Sequence, residues 1–360
     1  MKQNIIGMLP SDLIPWLGER GEPSYRAKQI LRWVYERKVA SFQDMSDIPL
    51  RLREELAASF SLGVTRCVEV RASADGSKKF LLAFPSSDTV EVVAIPHRSW
   101  YTVCLSTQVG CPVRCPFCAT GRAGFRRSLA PEEIVEEAWR VSKEENQRIT
   151  HLVFMGMGEP LLNYESLHRA LQVFNSPEGF NIGSRRITVS TVGIPEKIIQ
   201  LGQDWPEVNL AVSLHAPTDD LRNFLVPLNR VYPIRSLLVA LREYLHRTRR
   251  RVTIEYTLWQ DVNDKREHAL QLSRILRGLL VHVNLIPGNR VRGTPFVPSS
   301  RKRLEMFAAL LREQGIPVTL RRSRGHDIQA ACGELYRIHG LGGEIEDDHC
   351  FTKRRYTAGN

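Results

Sequence analysis

Four of the chain's seven cysteines, Cys104, Cys111, Cys115 and Cys118, fall within fifteen residues. The other three, Cys67, Cys332 and Cys350, are scattered. The total is odd, and the first ten residues lack the basic-then-apolar pattern of a secretory signal. Metal or redox chemistry in a reducing cytoplasm is therefore expected over a disulfide framework. Within the group, Cys111-Pro-Val-Arg-Cys115-Pro-Phe-Cys118 offers three thiolates. Structural zinc sites usually recruit four ligands, commonly as two separated pairs, and four-iron cubes are ordinarily held by four thiolates. Three thiolates on a cube would leave one iron open to a small molecule, by the logic that separates catalytic from structural zinc sites. A zinc knuckle or a set of buried structural thiols is the plainer alternative.

The elements that must position these thiols alternate. A strand expected at 102–105 leads through the cysteine loop to a helix at 131–144. Strands at 149–155, 186–190, 208–214, 251–258, 282–286 and 318–321 follow, separated by helices at 164–174, 195–201, 234–247, 265–279 and 300–314. Such a series implies an α/β fold, with right-handed crossovers curling a parallel sheet into a partial (βα) barrel of about six strands. A doubly wound open sheet is the rival, but no glycine-rich dinucleotide fingerprint follows the first strand. Residues 1–60 read as a small helical accessory domain, 61–95 as a connecting strand and hairpin region, 96–325 as the barrel, and 326–360 as a C-terminal segment carrying Cys332. Parallel sheets gather their chemistry at the C-terminal ends of strands. The cysteine loop, Gly156-Met-Gly-Glu-Pro160, Ser190-Thr-Val-Gly193, Ser213-Leu-His215 and Pro287-Gly-Asn289 all fall there.

Four segments resemble a known family. They are Thr102-Val-Cys-Leu-Ser-Thr-Gln-Val-Gly-Cys111, Phe154-Met-Gly-Met-Gly-Glu-Pro-Leu-Leu-Asn163, Ser213-Leu-His-Ala-Pro217 and Ala330-Ala-Cys-Gly-Glu334. The three clustered cysteines resemble the radical S-adenosylmethionine (radical SAM) superfamily. The whole set, with Tyr25-Arg-Ala-Lys-Gln29 and Asp75-Gly-Ser-Lys78, resembles the RlmN/Cfr family of adenosine methyltransferases almost end to end, the RlmN branch being favoured. The resemblance implies a radical SAM core and a [4Fe–4S] cluster on Cys111, Cys115 and Cys118. It also implies two S-adenosylmethionine (SAM) molecules per turnover, as methyl donor and radical source. The substrate would be C2 of an adenosine in the peptidyl-transferase region of 23S rRNA and, in some members, the adenosine 3′ of the tRNA anticodon. The Cfr branch methylates C8 of the same rRNA base.

By the same resemblance, Cys332 first takes a methyl from one SAM, a thiolate being a good nucleophile. A second SAM, cleaved reductively, yields a radical that takes a hydrogen from that S-methyl, and the resulting carbon radical adds to adenine C2. Glu91 matches the proton acceptor, and Cys104 the residue that resolves the RNA crosslink through a transient disulfide with Cys332. Gly158, Glu159, Ser190, Ser213, Leu214, His215 and Asn289 match the contacts to SAM. An electron donor of the flavodoxin or ferredoxin class would feed the cluster. Apart from the resemblance, Cys104 and Cys332 read as inert thiols and Glu91 as the solvent face of a strand. Cys67 and Cys350 match nothing and are expected to be structural. Trp259-Gln-Asp-Val262 stands where a Gly-Val turn is expected, Gly288-Asn-Arg-Val-Arg292 lacks the usual aromatic and proline, and Ile194 leads directly to Pro195.

Fifty Lys and Arg against thirty-nine Asp and Glu leave a net charge of +11, which points to a polyanionic partner. Arginines cluster at Arg247, Arg249, Arg250 and Arg251 and again at Arg321, Arg322 and Arg324, although the first run also reads as a solvated helix end. A 42% hydrophobic and 25% charged composition is that of a globular protein. No apolar run approaches the roughly 18 residues of a membrane span. From another class, the rival is a noncatalytic iron–sulfur or zinc RNA-binding factor, which would need the three cluster thiolates but neither Cys104 nor Cys332.

Overall fold

The computed structural model describes residues 2–321 and 324–335; residues 336–360, with Cys350, lie outside them. The N-terminal unit is helical, as expected. A two-residue strand β1 (Gln3–Asn4) pairs in parallel with β2 (Phe60–Ser61) and so closes the unit on itself. Between them lie α1 (Pro10–Gly18), α2 (Tyr25–Arg32), which continues into a π-helical turn at Trp33–Arg37, and α3 (Leu50–Ser59). Ala27, Ile30 and Leu31 recur at helical spacing on α2 and are fully buried with Leu13, Leu17 and Leu56.

Ten strands form one sheet. Strands β3 (Arg66–Ala72), β4 (Lys78–Ala83) and β5 (Thr89–Pro96) run antiparallel, and β5 pairs antiparallel with β6 (Tyr101–Cys104). After β6 the chain makes a small hairpin of β7 (Gln108–Gly110) and β8 (Phe125–Ser128), which encloses the short helix α4 (Ala119–Arg122). Then α5 (Pro131–Glu144), β9 (His151–Phe154), α6 (Tyr164–Asn175), β10 (Ile187–Thr191), α7 (Pro195–Asp204) and β11 (Asn209–Ser213) follow. The series ends with α8 (Asp219–Leu225), α9 (Ile234–Thr248), β12 (Val252–Leu258), α10 (Arg266–Leu276), β13 (Val281–Pro287), α11 (Arg301–Glu313) and β14 (Val318–Leu320). The spatial order is β14-β13-β12-β11-β10-β9-β6-β5-β4-β3, and every neighbouring pair from β6 to β14 is parallel. The parallel part is the expected βα series. The strand region expected to connect the two units is hydrogen-bonded into the barrel's own sheet. The β7/β8 hairpin was not expected, because its strands are short and carry Gly110, Arg126 and Arg127 in place of an apolar alternation.

Helix α5 joins the two units. Pro131 at its start and Glu132 and Glu133 in its first turn suit a helix N-terminus. The fully buried Glu136 accepts from the Val64 and Thr65 amides (2.7 and 2.6 Å) and the Thr65 hydroxyl (2.5 Å), while its second oxygen accepts from Asn4 Nδ2 (2.7 Å). Trp139 Nε1 donates to Val34 O at 2.8 Å. Next to Glu136, Glu137 accepts the Ser106 amide (2.8 Å) and so fixes the chain leaving β6 for the cysteine loop.

Candidate active site

The β7/β8 hairpin draws the cysteine loop closed at the top of β6. Gly110 has φ +77, and a Cβ there would lie 1.9 Å from Gly124 O, so only glycine permits this approach. Cys111 N donates to that carbonyl at 2.9 Å, and Cys118 N donates to Cys115 O at 3.1 Å. The loop packs on an apolar cluster of its own, with Phe117 against Trp259 and Phe296 at ring distances of 5.7 and 6.1 Å. That contact accounts for Trp259 at the end of β12, where a Gly-Val turn was expected. Cys111, Cys115 and Cys118 border one cavity of about 160 Å³. Burial above all, and for Cys111 and Cys115 also the charge of the neighbouring thiolates, raises all three thiols, Cys111 to about 12.

Around the same cavity the ends of the next strands supply Gly158, Glu159, Ser190, Ser213, His215 and Asn289. Gly158 takes φ +104 with its absent Cβ 2.7 Å from Gln108 Cβ, which lets the turn after β9 lie directly on β7. The Glu159 carboxylate is buried, accepts from Leu161 N (3.0 Å) and Val192 N (2.8 Å), and is pushed upward by burial. It thereby ties the end of β9 to the end of β10. His215 is held at φ +57, its Nδ1 accepting from Thr257 N at 3.1 Å and its carbonyl from Asn263 Nδ2 at 2.8 Å. Burial lowers its pKa to about 3, so it is a neutral imidazole whose proton sits on Nε2. Leu214 lies in the main core, not on the cavity; only its backbone faces the neighbouring loops.

The C-terminal segment closes the ring. Asn289 Nδ2 donates to Cys332 O (3.1 Å), Ala119 N to Gly333 O (2.8 Å) and Thr120 Oγ1 to Leu335 O (2.6 Å). On its other side Asp327 accepts from Ser73 Oγ (2.6 Å) and Ala74 N (3.0 Å) of the β3–β4 turn. Cys332 lines the cluster-side cavity and also a second one, of about 370 Å³, which Cys104, Val93 and Ile95 share. Burial pushes the Cys104 thiol up to about 12, with the charge of Cys332 adding to it. Glu91 lies on the same face of β5 as Val93 and Ile95. It lines neither cavity; it is buried in an ion pair with Lys79 at 2.9 Å, and Lys79 in turn donates to Gln329 O at 2.8 Å. The solvent-facing alternative for Glu91 is thereby excluded. Cys67 is half-buried on β3, away from both cavities.

Two arginines were missed. Arg321, grouped in the sequence with a basic surface cluster, stands between the two cavities, 3.9 Å from Glu255. Arg222 on α8 is buried beneath the site. Its surrounding sequence, Asp219-Asp-Leu-Arg222, is that of any charged helix start, so only the fold reveals it.

The donor set decides what the cysteine loop can hold. Three soft thiolates side by side in a buried pocket need a strongly cationic partner, which iron–sulfur chemistry supplies. Residues 105–273 match the radical SAM superfamily, and residues 3–62 match the ribosomal RNA large subunit methyltransferase N-terminal domain. A probable dual-specificity RNA methyltransferase RlmN from Geobacillus kaustophilus is 44% identical over 92% of this chain and 92% of its own. One of the same description from Thermotoga neapolitana is 46% identical over 92% and 97%. The crystal structure of a radical SAM methyltransferase from Sphaerobacter thermophilus superposes with a TM-score of 0.89 at 44% identity, covering 92% of this chain and 99% of that one. A [4Fe–4S] cluster and SAM come with the superfamily, and the loop's three thiolates fit the first. On fold, cysteine loop and near full-length similarity together, the chain belongs to the RlmN family of radical SAM methyltransferases.

Proposed function

We propose that this chain methylates C2 of an adenosine in the peptidyl-transferase region of 23S rRNA, and the adenosine 3′ of the tRNA anticodon, working in the cytoplasm with a flavodoxin- or ferredoxin-type electron donor. One observation carries the reading furthest. Cys332 is hydrogen-bonded through its own carbonyl and that of Gly333 to the site, and it borders both the cavity of the cluster thiols and the cavity of Cys104. When bound through Cys111, Cys115 and Cys118, the cluster supplies the electron for reductive cleavage of SAM.

The chain's own residues do the rest. Cys332, exposed where Cys104 is buried, is the sulfur that accepts and presents the methyl group. Gly158, Ser190, Ser213, His215 and Asn289 hold SAM, with the His215 Nε2 proton as a donor to it, while Leu214 contributes through its backbone. Glu159 fixes the turn and offers its remaining lone pairs to the SAM amino group. Glu91, on the Cys104 face of β5 and ion-paired with Lys79, takes the proton from the ring carbon. Cys104 closes a transient disulfide with Cys332 to release the RNA. Phosphate contacts from Lys and Arg hold the RNA, with the target base extruded toward the strand ends.

The test is anaerobic reconstitution with iron and sulfide, followed by assay on a short rRNA fragment with labelled SAM. The expected product is 2-methyladenosine; 8-methyladenosine alone would overturn the position. Cys332→Ala should keep the brown chromophore and lose methyl transfer, and undiminished transfer would overturn the cysteine route. Cys104→Ala should accumulate RNA covalently bound to protein, and its absence would remove Cys104 from the scheme.

A further inference from the structure

Arg222 is 1% exposed, yet among the described residues none of its donors meets a carboxylate. Nε donates to Leu214 O (3.1 Å), Nη1 to Asn229 Oδ1 (2.8 Å), and Nη2 to Val192 O and Ser213 O, the last at 3.4 Å. All four acceptors are neutral, and among the described residues no Asp or Glu oxygen lies within 4.0 Å of the guanidinium. On the same helix Leu225, with Val226 after it, belongs to the apolar cluster that also holds Cys115 and Phe117. The charges that act on it from a distance are those of Cys115, Asp219 and Glu159, and it in turn opposes protonation of His215. Asp219 is committed to Asn229 Nδ2 (2.9 Å) and Ile234 N (2.8 Å), so it is not the missing partner.

A buried cation without an ion pair is a large cost in a fold. It is retained where an anion completes it. With a four-iron cluster bound, the neighbouring Cys111, Cys115 and Cys118 would make that site net negative, and one added electron would make it more so. We propose that Arg222 is the built-in counter-charge of the cluster site, a positioning residue that raises the cluster's reduction potential while its fork ties the loops after β10 and β11 together. A fixed positive charge in a low-dielectric setting favours the reduced state over the oxidised one, and net charge and burial are among the levers that set such potentials. The proposal rests on the cluster ligation by Cys111, Cys115 and Cys118, not on the roles of Cys332, Cys104 or Glu91.

The experiment is a reductive titration of the reconstituted full-length protein, followed by electron paramagnetic resonance without RNA, for parent, Arg222→Gln and Arg222→Lys chains. Iron and sulfide content is measured on each. If the parent itself takes up no cluster, the ligation fails, and that outcome is distinct from any result on Arg222. Loss of the charge in Arg222→Gln should shift the reduction equilibrium at least tenfold toward the oxidised form, about 59 mV for one electron. Arg222→Lys should restore most of it. A loaded glutamine chain at the parent potential overturns the proposal, as does a lysine chain displaced as far as the glutamine one. Should the glutamine chain load no cluster, a lysine chain that loads near the parent potential still supports the counter-charge. Failure of both would assign Arg222 to loop bracing alone.

Discussion

His215 is a buried imidazole whose Nδ1 accepts from a backbone amide while the Phe117 ring packs edge-on against it, and this has a consequence for stability. Unfolded, it takes up a proton near 6.5; folded, it stays neutral down to about 3. Between those values the unfolded chain binds the extra proton, so stability falls as pH drops through the window. His215→Asn should remove a slope of up to about 1.4 kcal/mol per pH unit, read as the difference between urea titrations of the two proteins at pH 6 and pH 5. The sulfur atoms differ in a comparable way. Cys104 is buried with its thiol at about 12, whereas Cys332 is exposed. Iodoacetamide at pH 8 on the cluster-free protein should therefore label Cys332 well before Cys104, and peptide mass spectrometry will read the order.

Among the elements, α5 bears the most. Glu136 alone satisfies two backbone amides, one hydroxyl and one side-chain amide across the junction of the N-terminal unit and the barrel. Glu136→Ala strands these buried donors and should cost about 3 kcal/mol or more in urea unfolding, with Glu136→Gln milder. The boundaries of this helix were legible, since Pro131, two acidic residues in the first turn and an apolar 3.6-residue spacing agree with one another. Its special duty was not: Glu136 and Glu137 look like surface charges until the fold buries them. The βα alternation and the cysteine loop were legible for the same reason as α5, being local patterns. The burial of Arg222 beneath the strand ends and the place of Arg321 between the two cavities depend on contacts between segments far apart in the chain, which no window of sequence contains, and the ion pair of Glu91 with Lys79 depends on the register of the β4–β5 hairpin, which alternation alone does not set.

At the scale of the molecule, RNA must be held by a chain with net charge +11. If phosphate contacts dominate, RNA affinity measured by filter binding should fall steeply between about 50 and 200 mM salt, by about a thousandfold for some six neutralised phosphates. A flat salt response would point to recognition through base contacts instead. The C-terminus of α9 tempers that charge locally, as Arg247 pairs with Glu243. The ten-stranded sheet has a stricter effect. Because β5 aligns Val93 with Cys104 and Leu81 with Glu91, acid, lysine and sulfur all lie on one side of it. A single extra amino acid spliced between Glu91 and Val93 would turn the carboxylate toward the helices. Drift in the length of the bend at residues 97–100 can be absorbed, but parity within β5 cannot change without parting the carboxylate from the thiol.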